Sequence, residues 1–155
     1  DIISFFEYCI YEIEPELEKE NIRISTVHEL SAFRFVNVDR EKFRRVVLNI
    51  IENSRKYMNK DHGIIDILLR ETTSSIIIEI RDNGAGIAQK DLPNIFDRFY
   101  RADSAREVMR GSGLGLAIAK QIIEGMEGKI WARSSTGEGT SILISLKKYD
   151  NGGNL

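Results

Sequence analysis

The chain has 155 residues, of which 42% are hydrophobic and 30% are charged. These values are typical of one globular domain, since most domains contain roughly 100–200 residues, and they exclude a wholly disordered chain. Lys and Arg number 22 against 24 Asp and Glu, so the basic excess of many nucleic-acid-binding proteins is missing. A single cysteine, Cys9, excludes an internal disulfide. Because the sequence opens at Asp1 inside a predicted helix, we expect it to be a piece of a longer protein.

The N-terminal part of the chain predicts a helix followed by two short strands. Apolar residues recur at helical spacing over residues 2–17, and Pro15 is expected to kink or end that helix. Residues 22–25 and 33–38 are predicted to be strands joined by a polar turn.

A second helix is predicted from Asp39, a good N-cap residue, to about Met58. Its predicted apolar face consists of Phe43, Val46, Val47, Ile50, Ile51 and Ser54. Four of its polar residues fall at i, i+3, i+4 and i+7 and share one face: Asn49, Glu52, Asn53 and Lys56. Taken alone, such a face is most simply a solvated one. The alternative is a site for Mg²⁺ and phosphate, because a hard cation accepts oxygen ligands and a nearby lysine meets phosphates as a point charge.

The second half of the chain contains eleven of the twelve glycines. From residue 64 onward the sequence predicts two hairpins with a helix between them. The hairpin strands are 64–70 with 75–81, and 129–134 with 140–146. The helix starts near residue 113 and ends at a glycine, 125 or 128. Helices interleaved with hairpin strands predict an α/β two-layer sandwich with a mixed sheet.

Two glycine-bearing segments stand out in this half. Residues 82–87, Asp-Asn-Gly-Ala-Gly-Ile, follow an isoleucine-rich strand and are either a plain turn or a loop that lets a flat ligand approach the backbone. Residues 111–118, Gly-Ser-Gly-Leu-Gly-Leu-Ala-Ile, open a helix, and a helix N-terminus attracts anions. The second segment matches neither the dinucleotide fingerprint nor the P-loop, and a glycine-rich connector remains its alternative interpretation.

Together these elements resemble, in order and spacing, the ATP-binding catalytic domain of bacterial sensor histidine kinases, within the superfamily that includes the gyrase and mismatch-repair ATPases. Five segments resemble sequence boxes of that family: residues 48–57 the asparagine box, 82–87 the first glycine box, 95–101 the phenylalanine box, 111–116 the second glycine box, and 137–140 the last glycine turn.

The resemblance covers residues 1–147 and implies a mixed five-stranded sheet backed by three helices, the Bergerat-type ATP-binding fold. Residues 148–155 are expected to be a polar, disordered tail.

The resemblance also implies a role for individual residues. Asn53 is expected to bind Mg²⁺ with help from Asn49, while Lys56 and Arg101 are expected at the phosphates, and these four form the catalytic set. Asp82 is expected to accept a hydrogen bond from the adenine amine. The other expected ATP contacts are Tyr57, Gly84, Gly86, Ile87, Phe99, Tyr100, Gly111, Ser112, Gly113, Leu114, Gly115, Leu116 and Thr140. Residues 97–112 are expected to form a lid over ATP.

The implied function is transfer of the γ-phosphate of Mg-ATP to a histidine on a separate dimerisation domain of the same parent protein. A response regulator is the expected further partner, nucleic acid is not, and the fragment alone is expected to be monomeric. The parent is expected in the bacterial inner membrane with this domain in the cytoplasm. In the superfamily's true ATPases, a glutamate one helical turn before the metal-binding asparagine activates water, whereas this chain has Asn49 there.

Two alternatives remain. The first is a degenerate nucleotide-binding module that regulates without catalysis, although the asparagine and glycine boxes are intact. The second is a serine-directed kinase of the same superfamily that inhibits sigma factors. The phenylalanine box and the long predicted lid favour the histidine-directed branch.

Overall fold

The computed structural model describes residues 1–31, 34–100 and 114–149. In these ranges the elements are α1 (Ile2–Lys19), β1 (Ile22–Glu29), α2 (Arg40–Lys56), β2 (Gly63–Glu71), β3 (Ser75–Asp82), a short 3-10 helix (Leu92–Asn94), α3 (Gly115–Gly125), β4 (Lys129–Ser135) and β5 (Gly139–Lys147). The strands form one sheet in the order β1-β2-β3-β5-β4, with β1 parallel to β2 and the other neighbours antiparallel. The predicted mixed five-stranded sheet with three helices is confirmed. None of the helices in the described ranges is both long and apolar enough to cross a bilayer.

The core lies between the sheet and the helices because every second residue of the central strands is apolar. Cross-strand register places Ile67, Ile80 and Ile142 in one row across β2, β3 and β5, and all three are buried. Burying a side chain of this size contributes roughly 1.5–3 kcal/mol. The apolar face predicted for the second helix packs against this sheet: Phe43, Val46, Val47, Ile50 and Ile51.

The first helix extends further than its sequence predicts. It runs through Pro15 to Lys19, so the expectation that Pro15 ends the helix is wrong. Asp1 caps the N-terminus by accepting hydrogen bonds from two backbone N–H groups of the first turn. Beyond the proline, Leu17 is fully buried in the core. This burial offsets much of the roughly 3 kcal/mol that an interior proline costs a helix.

The predicted strand at residues 33–38 is wrong over its described part, residues 34–38. Only Val36 pairs there, in an isolated antiparallel bridge with Lys148. β1 is instead longer than predicted, and β5 ends at Lys147, one residue before this bridge. The backbone N–H of Tyr149 donates to the same segment. The folded part of the chain therefore reaches at least Tyr149.

Gly139 and Gly125 give a stability prediction with an internal control. Gly139 has φ of +113°, and a Cβ there would lie 1.9 Å from the backbone oxygen of Asp82, whereas a Cβ on Gly125 meets nothing within 4 Å. We expect Gly139→Ala to lower the free energy of unfolding by at least about 2 kcal/mol, since both strain and overlap oppose it. Gly125→Ala should be neutral or raise it by about 0.5–1 kcal/mol. Urea unfolding measures both, and equal effects would contradict the described backbone.

Candidate functional site

The site is built around the carboxylate of Asp82 at the end of β3. One of its oxygens accepts from the N–H of Gly84 at 2.9 Å and from the N–H of Thr140 at 3.3 Å, and the other accepts from the hydroxyl of Ser54 at 2.8 Å. Burial raises the pKa of Asp82 above its ordinary value, although the three donors act in the opposite direction. Because a carboxylate offers about four acceptor positions, one remains for a further donor.

Two glycines hold the loop after Asp82 against its neighbours. A Cβ on Gly84 would lie 2.8 Å from the backbone oxygen of Tyr57, which also accepts from the N–H of Ala85 at 3.0 Å. Gly86 has φ of +73°, and a Cβ there would lie 2.1 Å from the backbone oxygen of Ser135. The first glycine box is therefore clamped between the end of α2 and the end of β4.

A hydroxyl pair fixes the far side of this loop. Ser134 Oγ accepts from the N–H of Ile87 at 2.7 Å, lies 2.8 Å from Thr140 Oγ1, and donates to the backbone oxygen of Gly139 at 2.8 Å. Since one hydroxyl has one proton to give, Thr140 is the donor to Ser134. Thr140 is buried, and its backbone also binds Asp82. The last glycine turn and the first glycine box thus share one hydrogen-bond network.

The polar face of α2 meets the start of α3. Asn49 donates through its side-chain amide to the backbone oxygen of Gly115 at 3.2 Å. Asn53 and Lys56 are half-buried on the same face, and the ammonium of Lys56 lies 5.2 Å from the ring centroid of Tyr57. The asparagine box and the second glycine box, 66 residues apart from Asn49 to Gly115, are therefore neighbours.

The described part of the second glycine box opens α3 as predicted. Leu114 is the N-cap residue and makes no side-chain capping bond, while Leu116 is buried in the core. Leu116 can therefore serve a ligand only through its backbone. Four predicted contacts lie outside the described residues: Arg101, Gly111, Ser112 and Gly113. Most of the predicted lid, residues 97–112, also lies outside them.

The phenylalanine box is anchored at its start and exposed at its end. Ile95 and Phe96 pack against the core. Phe99 has φ of +61° and is 70% exposed, while the phenol of Tyr100 donates to the carboxylate of Asp91. The aromatic ring of Phe99 is thus accessible, whereas Tyr100 is held beside the 3-10 helix.

Sequence reasoning missed three residues that support the site. Ser54 was assigned to the apolar face of α2, although its hydroxyl binds Asp82, and a lone serine in an apolar stripe was the available signal. The hydrogen bonds of Ser134 gave no sequence signal. Arg55 was given no role by its sequence pattern, yet it forms ion pairs with Glu20 at 2.5 Å and Glu52 at 2.7 Å. These carboxylates, first that of Glu20, raise the pKa of Arg55 further.

Comparison with known proteins identifies the class of protein that this fold and site define. Residues 38–150 match the family described as "Histidine kinase-, DNA gyrase B-, and HSP90-like ATPase", and the chain belongs to this family. It is 38% identical over 149 residues to the sensor histidine kinase WalK of Bacillus subtilis (strain 168), covering 94% of this chain and 24% of that protein. It is 44% identical over 114 residues to the sensor protein kinase WalK of Staphylococcus aureus, covering 72% and 28%. The chain thus spans about a quarter of the length of the curated relatives it matches.

Solved structures share the fold over nearly the whole chain. The mycobacterial sensor histidine kinase MprB superposes with a TM-score of 0.80 at 26% identity, covering 96% of both chains. The nucleotide-free catalytic domain of the histidine kinase ThkA gives 0.80 at 22% identity, covering 96% of this chain and 95% of that one. The predicted sensor histidine kinase ATP-binding fold is confirmed.

The raised pKa of Asp82 predicts how stability depends on pH. At a pH just above 3.8, the ordinary pKa of an aspartate, the folded protein holds a proton on Asp82 that the unfolded chain has lost. This stabilisation is fully present below that value and is lost as the pH rises through the folded-state pKa. The free energy of unfolding, taken relative to Asp82→Asn, should therefore fall as the pH rises above the ordinary pKa of 3.8. Urea unfolding of both proteins measures the difference, and a rise with pH would contradict it.

Proposed function

We propose that this chain binds Mg-ATP and donates the γ-phosphate to a histidine on a separate dimerisation domain, as the catalytic part of a two-component sensor kinase. The observation that carries the proposal is the convergence of boxes that are distant in sequence. The hydrogen bond from Ser54 to Asp82 joins the asparagine box to the first glycine box, and the one from Asn49 to Gly115 joins it to the second. The family match and the likeness to WalK support the same activity.

The Asp82 carboxylate is the proposed adenine acceptor. Three of its acceptor positions are filled by Ser54, Gly84 and Thr140, which leaves one for the exocyclic amine of the base. The absence of a side chain on Gly84 and Gly86 lets the loop pack against the backbone oxygens of Tyr57 and Ser135, which holds it beside Asp82. Tyr57 lies at the C-terminal end of α2 and supplies an aromatic surface for the base. The other contacts expected for this end of the nucleotide are Ile87, Phe99 and Tyr100.

The polar face of α2 is the proposed site for Mg²⁺ and phosphate. No group of three or more His, Cys, Asp or Glu in the described residues could hold a metal by itself, and Mg²⁺ in nucleotide sites takes most of its ligands from phosphate and water. An amide oxygen of Asn53, supported by Asn49, fits this mode of binding. When bound, the metal would neutralise charge on the phosphate oxygens. Lys56 and Arg101 would add charge there, and the backbone N–H groups that open α3 would bind the phosphates.

The proposed partners follow from the proposed reaction. The acceptor is a histidine-bearing dimerisation domain of the same parent, and a response regulator receives the phosphate next. ThkA, which shares this fold at 20% identity and a TM-score of 0.75, has been solved in complex with the response regulator TrrA. We place this domain on the cytoplasmic side of a parent protein anchored in the bacterial inner membrane.

Hydrolysis of ATP by water should be slow in this proposal, so that it does not compete with transfer to the histidine. Asn49 stands where a true ATPase has its glutamate, and an amide cannot take a proton from water. The nearest carboxylate on this face, Glu52, accepts from Arg55 at 2.7 Å, and Arg55 is held in turn by Glu20. A general base is worth about 10²–10⁴-fold in rate, so its absence protects the γ-phosphate from hydrolysis.

The first test concerns the metal-binding asparagine. Asn53→Ala should lower the affinity for ATP in the presence of Mg²⁺ by about tenfold or more, which is about 1.4 kcal/mol, and leave metal-free binding unchanged. Asn37→Ala is the matched control, since Asn37 is exposed and lies before the opposite end of α2. Calorimetric titration with and without Mg²⁺ measures both. An unchanged metal dependence in a folded Asn53→Ala protein would remove Asn53 from the site.

The second test concerns the acceptor. With γ-labelled ATP and purified histidine-bearing dimerisation helices of a sensor kinase, label should appear on the helices in an acid-labile form. Phosphate release by this chain alone should stay well below about 1 per second, an ordinary enzyme turnover. Faster release would favour the ATPase branch, and acid-stable label on a serine would favour the serine-directed kinase. Nucleotide binding without either reaction would favour the non-catalytic module.

A further inference from the structure

The outer edge of β1 is unpaired in the described residues. β1 is the first strand in the sheet order and pairs there only with β2. The N–H of Gly63 donates to the oxygen of Asn21, which fixes the phase of the parallel ladder. Because the backbone groups of successive residues point to opposite sides of a strand, alternate residues of β1 direct their N–H and C=O away from β2. These residues are Ile22, Ile24, Thr26 and His28.

A groove of about 400 Å³ runs beside this edge. We call it the β1 groove, and its lining comes from the end of α1, the start of β1 and the start of β2: Glu14, Glu18, Asn21, Ile22, Arg23, Ile24, His62, Gly63 and Ile64. Ile22, Ile24 and Ile64 contribute to its lining, and its α1 wall carries two exposed carboxylates. The groove shares no residue with the Asp82 network, although His62 and Ile64 hydrogen-bond to Asn83 beside Asp82.

The α1 wall is acidic and its charges are unneutralised. α1 contains five glutamates and one lysine. Glu12 is paired with Arg44 and Glu16 with Lys19, but within the described ranges Glu14 and Glu18 form no ion pair. Arg23 also lines the groove, so its two carboxylates exceed its one permanent cation by one. A ligand that brings positive charge to the α1 wall is therefore favoured.

We infer that the β1 groove binds an extended, basic segment of a partner protein, which adds a strand to the sheet. The outward backbone groups of β1 would pair with that segment, as in β-strand addition. Lys or Arg at every second position would reach Glu14 and Glu18, because side chains of a strand alternate between its two faces. Apolar residues at the other positions would contact the strand surface.

A second copy of this chain fits the groove less well. Joining two β1 edges would make one continuous sheet, and its helices would stand on the same face or on opposite faces. With both on the same face, the two acidic α1 helices would lie side by side and repel each other. With the helices on opposite faces, the carboxylates of one copy would meet no basic helix of the other. A basic segment from another protein meets neither difficulty.

The test uses the whole chain and an eight-residue peptide of alternating Lys and Val, with an alternating Glu and Val peptide as the ligand control. Amide hydrogen exchange is followed by NMR along β1. We expect the Lys peptide to slow exchange at Ile22, Ile24, Thr26 and His28, while the residues between them, already bonded to β2, change little. The Glu peptide should have no effect at the same concentration.

Charge-reversal variants give the second half of the test. The double variant Glu14→Lys, Glu18→Lys should raise the Kd of the Lys peptide about tenfold, and added salt should weaken binding to the wild type. Glu16→Lys is the control: it changes the charge of α1 by two units instead of four, lies outside the groove, and should raise the Kd less than about threefold. Uniform or absent protection, or equal effects of both variants, would overturn the proposal. Protection that rises with protein concentration without peptide would show a second copy instead. ATP binding should be unaffected, so failure here leaves the proposed function standing.

Discussion

The buried carboxylate of Asp82 is the interaction on which the rest of the site depends. It receives donors from α2 through Ser54, from the glycine loop through Gly84 and from β5 through Thr140. A buried charge is costly unless it is hydrogen-bonded, so these three elements are held where their donors reach it. The same network places the loop glycines against Tyr57 and the β4–β5 turn. A carboxylate that organises three elements and keeps one acceptor position open is well suited to select a ligand with a donor.

The C-terminal half of α2 serves both parts of the proposed nucleotide site. Its end, where the backbone oxygen of Tyr57 accepts from the glycine loop, lies at the base side. Asn53 and Asn49 lie one and two turns earlier, and Asn49 donates to the start of α3, where helix N–H groups favour phosphate. Arg55, on another side of the helix, ties α2 to Glu20 and engages Glu52. A single helix thus spans the nucleotide while its ion pairs keep a possible water-activating base occupied.

Much of the fold could be predicted because its signals are local. The alternating isoleucines of β2 and β3 and the amphipathic face of α2 define elements by periodicity, and the glycine boxes stand out by composition. The prediction errors arise where contacts with residues distant in sequence determine the local structure or a residue's role. Leu17 is buried beyond Pro15, and residues 34–38 form a single bridge with Lys148, the first residue after β5. The contacts of Ser54 with Asp82, Ser134 with Ile87 and Arg55 with Glu20 join positions 28, 47 and 35 residues apart. No pattern within one element could reveal these contacts.

The most direct measurement of the central claim is the nucleotide preference of Asp82. An adenine amine can donate to the carboxylate, whereas guanine presents an oxygen there and two acceptors would face each other. A hydrogen bond to a charged group contributes about 1.5–3 kcal/mol, so wild-type protein should prefer ATP to GTP by about 10- to 150-fold in competitive titration. Asp82→Asn, whose amide can both donate and accept, should lose most of that preference while remaining folded. Equal competition by GTP for the wild-type protein would contradict the account.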